Sequence, residues 1–504
     1  MVQALPTLLT FLPLLGVIAL LLSERTNGTL HRRLGIGFTL PPLALAVWMF
    51  VKQVLANTSL TWTHAFDWFY IPLPQGSWTF QYMMQIDGLS LVFIMLTCLI
   101  TTMATIASHS IHERTRAYYS LILLLQVGML GVFSAFNLFL FFIFFEITLI
   151  SMYFLIGIWG FLHKEKAANY FLLYNGLGSG FLLFAMIGLL MLAESLNYDD
   201  IANAITALVQ QLELLPPEVG LMVWGVFGSL MIAFAIKLPI FPFHTWMLKV
   251  HVEAPTPIVM IHSGVLLKMG AYGMIRFGYG FFPTFMQEIA FTLAIVGVIS
   301  ILYGALLAIV ESELKKVLAY SSISHMGIVL IGLGAINETG LKGAVFQSIS
   351  HGLISALLFY LVGRLYQRTQ TTQFNELGGL AKSMPVFSGI LMVGVLALLG
   401  LPGTSGFISE FFAFLALFAS KPIVAAIGTL GLIFAAFYAL RIVLKVSFGP
   451  IADKHMHLSD LRFNESIPML ILVVVIIMIG ISPAVLSYPI DSVLHTLITQ
   501  IGGQ

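Results

Sequence analysis

The sequence predicts an all-α polytopic membrane protein with about fourteen transmembrane helices, organised as two inverted five-helix repeats that each contain one broken helix. Hydrophobic residues make up 59% of the 504 residues, and charged residues make up only 9%, compared with about 25% in soluble domains. Apolar windows of about eighteen or more residues recur along the chain, and each is long enough to cross a hydrocarbon layer. Proline and glycine interrupt two of these windows beside an ionisable residue.

The apolar windows follow one another from the N-terminus onward. The first window has neither the basic region nor the cleavage site of a signal peptide, so we expect it to be a membrane helix. The predicted spans cover residues 5–22, 34–54, 88–108, 117–135, 137–160, 168–193, 219–247, 255–279, 288–310, 315–335, 341–363, 385–417, 422–446 and 466–488.

The distribution of charge predicts the orientation of these spans. Most of the 23 Lys and Arg residues fall in the odd-numbered connections, whereas the even-numbered connections hold Lys52, Lys342 and Lys421. By the positive-inside rule, the odd-numbered connections face the cytoplasm and both termini are extracytoplasmic. The aromatic segment 56–86, which has no Lys or Arg, is then expected to lie at the outer membrane interface.

Breaks in two spans predict the domain organisation. Pro239 and Pro242 interrupt the seventh span, and Pro402 with its neighbouring glycines interrupts the twelfth. A broken membrane helix persists only where protein or water satisfies the freed backbone groups, and a pair of such helices indicates inverted repeats. We expect three helices in residues 1–116, the first repeat in 117–280, the second repeat in 288–446 and a final helix in 447–504.

Composition excludes several classes of function. The formal net charge of +1 does not indicate a nucleic-acid partner, and the apolar surface indicates membrane lipid instead. The single cysteine, Cys98, cannot hold an iron–sulfur cluster, a zinc site or an internal disulfide. We therefore expect no cofactor and no metal on this chain.

Ionisable residues inside the spans are the candidate functional residues. An ionised side chain at the bilayer centre costs at least about 2.5–3.5 kcal/mol, so each such residue suggests a function. Carboxylates, amines and imidazoles together suit proton transfer and do not suit the binding of an organic substrate. The deep acids are Glu146 and Glu410, the deep bases are Lys237 and Lys268, and the imidazoles are His244, His262, His325 and His351.

Structural interpretations of these residues are also open. His262 and His325 could be interhelical hydrogen-bond partners, and Glu146 with Lys237 could be a buried ion pair without a transport role. Arg276, near the outer end of its span, is expected to extend its guanidinium to the lipid headgroups.

Several motifs resemble one family over nearly the whole chain. They are "FEITLISMYFLIGIWG", "KLPIFPFHTW", "EAPTPIVMIHSGVLLKMGAYGMIRFG", "LKKVLAYSSISHMG", "QSISHGLISALLFYLVG" and "LPGTSGFISEF". These stretches resemble the antiporter-like membrane subunits of respiratory complex I, the NADH:quinone oxidoreductase, and among them the M-type subunit. The resemblance implies that NADH, FMN, iron–sulfur clusters and quinone are bound by other subunits. It also implies L-type and N-type antiporter-like subunits as partners in the cell membrane.

The resemblance and the side-chain chemistry together imply a role for each candidate. Glu146 would hold Lys237 in its charged form, and Lys268 would carry a proton at mid-membrane. His351, supported by His325, would connect Lys268 to Glu410, which would release the proton to the outer side. His244 would support the relay near the first break.

One departure from the family pattern and two rival functions remain. Where the family usually reads "HTWLPDAH", this sequence reads "HTWMLKVH", with Lys249 near the usual Asp. The change bears on polar contacts at the cytoplasmic proton entrance. The rival functions are a subunit of a multisubunit sodium/proton antiporter and a membrane scaffold without ion conduction. A scaffold would gain nothing from the buried charges.

Overall fold

The computed structural model describes residues 4–56, 60–73, 76–211 and 216–502. This part of the chain is mostly helical. Its helices are α1 (Leu5–Leu22), α2 (Gly28–Ala56), α3 (Gly88–Ala107), α4 (Thr115–Ser134), α5 (Leu138–Trp159), α6 (Lys164–Ala193), α7 (Tyr198–Gln210), α8 (Pro217–Lys237), α9 (Thr245–Glu253), α10 (Thr256–Tyr279), α11 (Pro283–Glu288), α12 (Ala290–Val310), α13 (Leu314–Gly334), α14 (Glu338–Thr369), α15 (Pro385–Leu398), α16 (Ser405–Ser420), α17 (Pro422–Ser447), α18 (Phe463–Ile481) and α19 (Ala484–Thr499).

The predicted membrane class and helix count are confirmed. Thirteen helices of the described chain are long and apolar enough to cross a membrane. The twelfth predicted span, 385–417, is not one helix, because it consists of the shorter apolar helices α15 and α16. Counted as one broken span, this pair brings the total to the expected number. The boundaries of the two predicted repeats stay a prediction.

Both helix breaks occur where the sequence places them. α8 ends at Lys237 and α9 begins at Thr245, so the segment with Pro239 and Pro242 lies between them. Between α15 and α16, Gly400 and Gly403 have φ angles of 78° and 92°. Residues with a side chain rarely adopt this left-handed backbone conformation, so these glycines allow the chain to leave the helix here.

An antiparallel β-hairpin, which the sequence analysis did not predict, follows α2. Its strands are β1 (Trp62–Leu73) and β2 (Gly76–Ile86), with Trp62 opposite Ile86. Phe80, Tyr82 and Met84 alternate with less buried residues along β2, which is the two-residue period of a strand with one buried face. That alternation was present in the sequence, but the aromatic content of the segment suggested only an interfacial location.

The helices differ in how much of their surface the bundle covers. The apolar windows of α10 and α14 are completely buried, whereas about a third of each window in α1 and α2 is buried. α10 and α14 therefore form the centre of the bundle.

Both ends of the described chain lie at the end of the bundle that carries the hairpin, here called the hairpin end. Thr7 in α1 hydrogen-bonds His64 of β1 at 2.8 Å, and Pro489 in α19 packs against Gly88, two residues after the end of β2. The opposite end of the bundle, which carries most of the Lys and Arg residues, is called the basic end.

Candidate functional site

Lys268 lies on the central helix α10 and is completely buried. Its Nζ donates to the Ser263 carbonyl at 2.6 Å and lies 2.7 Å from His351 Nδ1. Two π-helical segments, His262–Leu266 and Met274–Tyr279, flank the lysine. Such wider turns often mark functional sites in helices. The predicted neighbour of Lys268, His351, is thus in direct contact with it.

A second imidazole continues from His351 toward Glu410. The ring centroids of His351 and His325 lie 5.5 Å apart, and His325 Nδ1 lies 3.7 Å from Glu410 Oε1. The side chain of Gln347 donates to His325 Nδ1 at 2.9 Å and accepts from the Ser409 hydroxyl at 2.5 Å. The structure therefore brings Lys268, His351, His325 and Glu410 together in one buried sequence of side chains.

Gln347 and Tyr438 are contributors that the sequence analysis missed. Because Gln347 donates to Nδ1 of His325, the neutral ring carries its proton on Nε2, which lies 3.4 Å from the Tyr438 hydroxyl. Gln347 precedes His351 by four residues, so both face the same side of α14. That spacing could have identified Gln347. No pattern in the sequence indicated Tyr438.

The second break in the helices shapes the space around Glu410. This residue is only 8% exposed, and a Cβ atom at Gly400 would stand 2.6 Å from its Oε2 atom. The absence of a side chain at Gly400 therefore lets the carboxylate lie against the backbone of the break. The break and the carboxylate form one site, as their proximity in the sequence indicated.

Lys237 is buried in the last turn of α8. The negative end of the helix dipole stabilises a cation at this position. The Nζ atom of Lys237 lies 4.6 Å from the ring centroid of Phe145, the sequence neighbour of Glu146, and 5.8 Å from the ring centroid of Phe171. No ion pair within 4.0 Å joins Glu146 to Lys237 in the described chain, and neither Lys237 Nζ nor Glu146 Oε1 has a hydrogen-bond partner there.

Two further histidines lie between Lys237 and Lys268. His251 Nε2 is 3.0 Å from His262 Nδ1, and both rings are fully buried. Phe171 connects this pair to the first lysine, because its ring packs within 5.9 Å of the His262 ring as well as against Lys237. The hydrogen-bonded role expected for His262 is present. His251 was missed, since it follows the break in sequence and sits outside every predicted span.

Arg276 differs from its predicted surroundings, whereas the supporting role predicted for His244 stays a prediction. His244 Nε2 lies 3.2 Å from the Tyr303 hydroxyl, and no hydrogen bond within the described chain connects it to Lys237 or Lys268. The expectation that Arg276 reaches the lipid headgroups is wrong, because its side chain is buried and lies 2.7 Å from Asp87 Oδ2. Asp87 precedes α3, so only the tertiary fold brings these two residues together.

The whole arrangement suits the movement of protons. Bases and acids succeed one another across the bundle from Glu146 to Glu410, and each imidazole can accept a proton on one nitrogen and release one from the other. The described residues contain no group of three or more His, Cys, Asp or Glu side chains that could hold a metal ion.

Comparisons with known proteins place the chain in a family. Residues 135–437 match the family model for the transmembrane region of the NADH:quinone oxidoreductase/Mrp antiporter proteins, and residues 35–133 match that for the amino terminus of NADH-ubiquinone oxidoreductase chain 4. The chain belongs to the chain 4, or subunit M, family of NADH:quinone oxidoreductase. The resemblance seen in the motifs is confirmed.

Individual relatives of this subunit M family member cover most of its length. An NAD(P)H-quinone oxidoreductase chain 4 from Synechococcus sp. is 37% identical over 496 residues, covering 96% of this chain and 90% of the relative. NADH-quinone oxidoreductase subunit M of Rickettsia conorii is 36% identical over 401 residues, covering 79% of each chain.

Solved structures agree with this assignment. A chain of respiratory complex I from Thermus thermophilus matches with a TM-score of 0.84 and 28% identity, covering 99% of this chain and 100% of that chain. A chain of the Mrp complex from Dietzia sp. matches with a TM-score of 0.81 at 19% identity, with the same coverage, and shows the shared fold.

Proposed function

We propose that this membrane subunit translocates protons through the row of buried side chains that begins at Glu146 and Lys237 and ends at Glu410. One observation carries the proposal. The 2.7 Å contact between Lys268 and His351 continues through His325 to Glu410, all inside the bundle. A subunit without proton transport has no need for this sequence of buried ionisable groups, because a hydrophobic core of similar volume is usually no less stable.

The chemistry of each step follows from the contacts. The ammonium group of Lys268 is held by the Ser263 carbonyl and the neutral His351 ring, with no carboxylate within 4.0 Å in the described chain. Transfer of its proton to His351 Nδ1 leaves a neutral amine, which a buried site accommodates well. His351 then releases its other ring proton toward His325. The unprotonated Nδ1 of His325 takes this proton and passes it to Glu410, whose Oε1 lies 3.7 Å away beside the second helix break.

On the side where protons enter the relay, a similar electrostatic balance acts between Lys237 and Glu146, whose charged atoms lie more than 4.0 Å apart. Lys237 has the dipole of α8 and the carboxylate of Glu146 to favour its charged form. A signal that moves Glu146 or Lys237 would shift that balance and release the proton. The His251–His262 pair is placed to pass it to Lys268.

Sidedness follows from the distribution of charge. We place the basic end on the cytoplasmic side and the hairpin end, with both termini, on the extracytoplasmic side of the cell membrane. Protons would then enter near the first break and leave near the second.

The redox chemistry belongs to other subunits in this proposal. NADH, FMN, iron–sulfur clusters and quinone would be bound elsewhere, since one buried cysteine cannot ligate a cluster. L-type and N-type antiporter-like subunits are the proposed neighbours in the membrane.

A sodium/proton antiporter subunit is the second candidate function. The fold shared with the Mrp chain is compatible with it. The chain 4 relatives, which match at much higher identity over most of the sequence, favour the complex I assignment. Uptake of sodium ions in place of protons would support the antiporter.

The substitution Lys268→Arg tests the proposal. Arginine keeps the positive charge but does not release its proton, so it blocks the relay at its centre. We expect proton uptake driven by NADH, measured with a pH-sensitive dye in vesicles containing the purified complex, to fall by at least about tenfold. Lys316→Arg is the matched control, because Lys316 is a partly exposed partner of Glu313 at the basic end. Normal pumping by the Lys268→Arg complex would refute the relay.

A further inference from the structure

A cavity at the hairpin end reaches the central helix α10 at Arg276, eight residues after Lys268. The cavity has a volume of about 330 Å³, and its wall includes Asp87, Asp199, Arg276 and Tyr198. Residues of α19, among them Thr496, complete the wall. Burial, followed by the neighbouring carboxylate of Asp200, raises the pKa of Asp199. The cavity therefore brings carboxyl groups that can bind protons close to the central helix.

Lys268, Tyr272 and Arg276 follow one another along α10 at intervals of four residues. Eight residues of helix correspond to a rise of about 12 Å, so the cavity and the central lysine are separated by only this short stretch. A direct exchange of protons between them would bypass His351 and Glu410. The relay thus requires a seal along this part of α10, that is, layers of side chains that protons cannot cross.

The seal begins with the ion pair of Arg276 and Asp87. The Nη2 atom of Arg276 lies 2.7 Å from Asp87 Oδ2 and 3.2 Å from the Ser90 hydroxyl, and its Nε donates to the Tyr272 hydroxyl at 3.3 Å. The guanidinium is thereby held at two of its edges, by Asp87 at the cavity and by Tyr272, which lies between Arg276 and Lys268 along α10. A permanently charged guanidinium at a constriction repels protons and other cations.

Aromatic rings continue the seal below the ion pair. Phe93, Phe133 and Tyr272 pack with ring centroids 5.1 to 5.5 Å apart, and all three side chains are fully buried. The Ser90 hydroxyl lies 3.1 Å from the Tyr272 hydroxyl and closes the polar layer above them. A charged layer over an apolar layer leaves little room for a continuous file of water.

We propose that Arg276 is an electrostatic barrier that isolates Lys268 from the cavity at the hairpin end and prevents protons from leaking past the relay. This inference rests on the proposed proton transport but assigns Arg276 a role outside the transfer steps. The barrier also explains a buried ion pair whose partners come from distant parts of the chain, since a neutral pair would hold the helices together as well.

The double variant Asp87→Asn/Arg276→Gln tests the barrier. It replaces the ion pair with two neutral amides, and Asn retains the cap that Asp87 provides for Ser90 at the start of α3. The variant complex in sealed vesicles should reduce quinone with NADH at a rate within about twofold of the wild type. Its passive proton conductance under an imposed pH gradient should rise above that of the wild type, because a neutral amide replaces the cation that stands between the cavity and Lys268.

Controls separate the barrier from a structural role. Arg276→Lys keeps the cation, so vesicles with this variant should not leak protons. If the ion pair is merely structural, the double variant will have unchanged proton conductance, and that result would overturn the proposal. If the double variant does not assemble, Arg276→Gln alone is the test: it removes the cation, so the barrier predicts a leak and a merely structural pair predicts none. Asp87→Asn keeps the cation, so no leak is expected there. A leak in Asp87→Asn would therefore also refute the barrier. Failure of the wild-type vesicles to pump would instead refute the proposed function.

Discussion

Glu410 shows how one carboxylate depends on its immediate surroundings. It is almost completely buried, its Oε1 lies 3.7 Å from His325, and its Oε2 lies beside Gly400 in the second break. A buried ionised carboxylate needs partners that hydrogen-bond it or share its proton. The His325 ring and the open backbone of the break provide such surroundings, so the residue can gain and lose a proton where an isolated carboxylate could not.

Substitution of Glu410 separates ionisation from size. Glu410→Gln keeps the shape but cannot carry a proton, so we expect proton pumping in reconstituted vesicles to fall by at least about tenfold. Glu410→Asp keeps the carboxyl group and withdraws it by one methylene, so it should pump faster than Gln.

The control is Glu376→Gln, which alters an exposed carboxylate near Lys454 and should pump normally. Equal pumping by Glu410→Gln and the wild type would place Glu410 outside the path.

At the scale of elements, irregular helices and close helix contacts position the relay. The two breaks place Lys237 at a helix end and Glu410 beside an open backbone, and the π-helical turns of α10 flank Lys268. Elsewhere α12 and α13 touch through their backbones, because Gly297 and Gly327 face each other. This contact supports α13, which carries His325.

Gly327→Ala should push these two helices apart. A Cβ atom at this position would stand 2.6 Å from the carbonyl oxygen of Gly297, so the backbones must separate. Overpacking of this kind costs about 1–3 kcal/mol, and we expect a lower thermal transition of the purified complex and slower pumping.

Gly389→Ala is the matched control, because the residue is exposed and no atom lies within 4 Å of the position that the added methyl group would take. An unchanged transition in Gly327→Ala would show that α12 and α13 can adjust without cost.

At the scale of the whole molecule, the described chain is a helix bundle with an apolar outside. Large hydrophobic side chains such as Leu173, Phe184 and Ile187 on α6 are exposed, as they are in a protein surrounded by lipid or by other membrane subunits. Glu146 on α5 is only partly buried, and the same helix exposes Ile150. A carboxylate at such an edge is more stable against another subunit than against lipid.

We therefore expect the chain to occur in a large assembly. Native electrophoresis of mildly solubilised membranes should find it in a complex with NADH dehydrogenase activity, together with other antiporter-like subunits. Recovery of the chain alone, or only with antiporter subunits that lack this activity, would contradict the assignment to complex I.

The sequence by itself determined the membrane class, the number of spans, the two breaks and the identity of Lys237, Lys268, His351 and Glu410 as buried ionisable residues. These features follow from local physics, because apolar length, proline and the cost of a buried charge can all be read along the chain. Only the tertiary structure decided which of them touch. The Arg276–Asp87 pair, the His251–His262 pair and the bond from Gln347 to His325 join residues on different elements, and no local pattern specifies such distances.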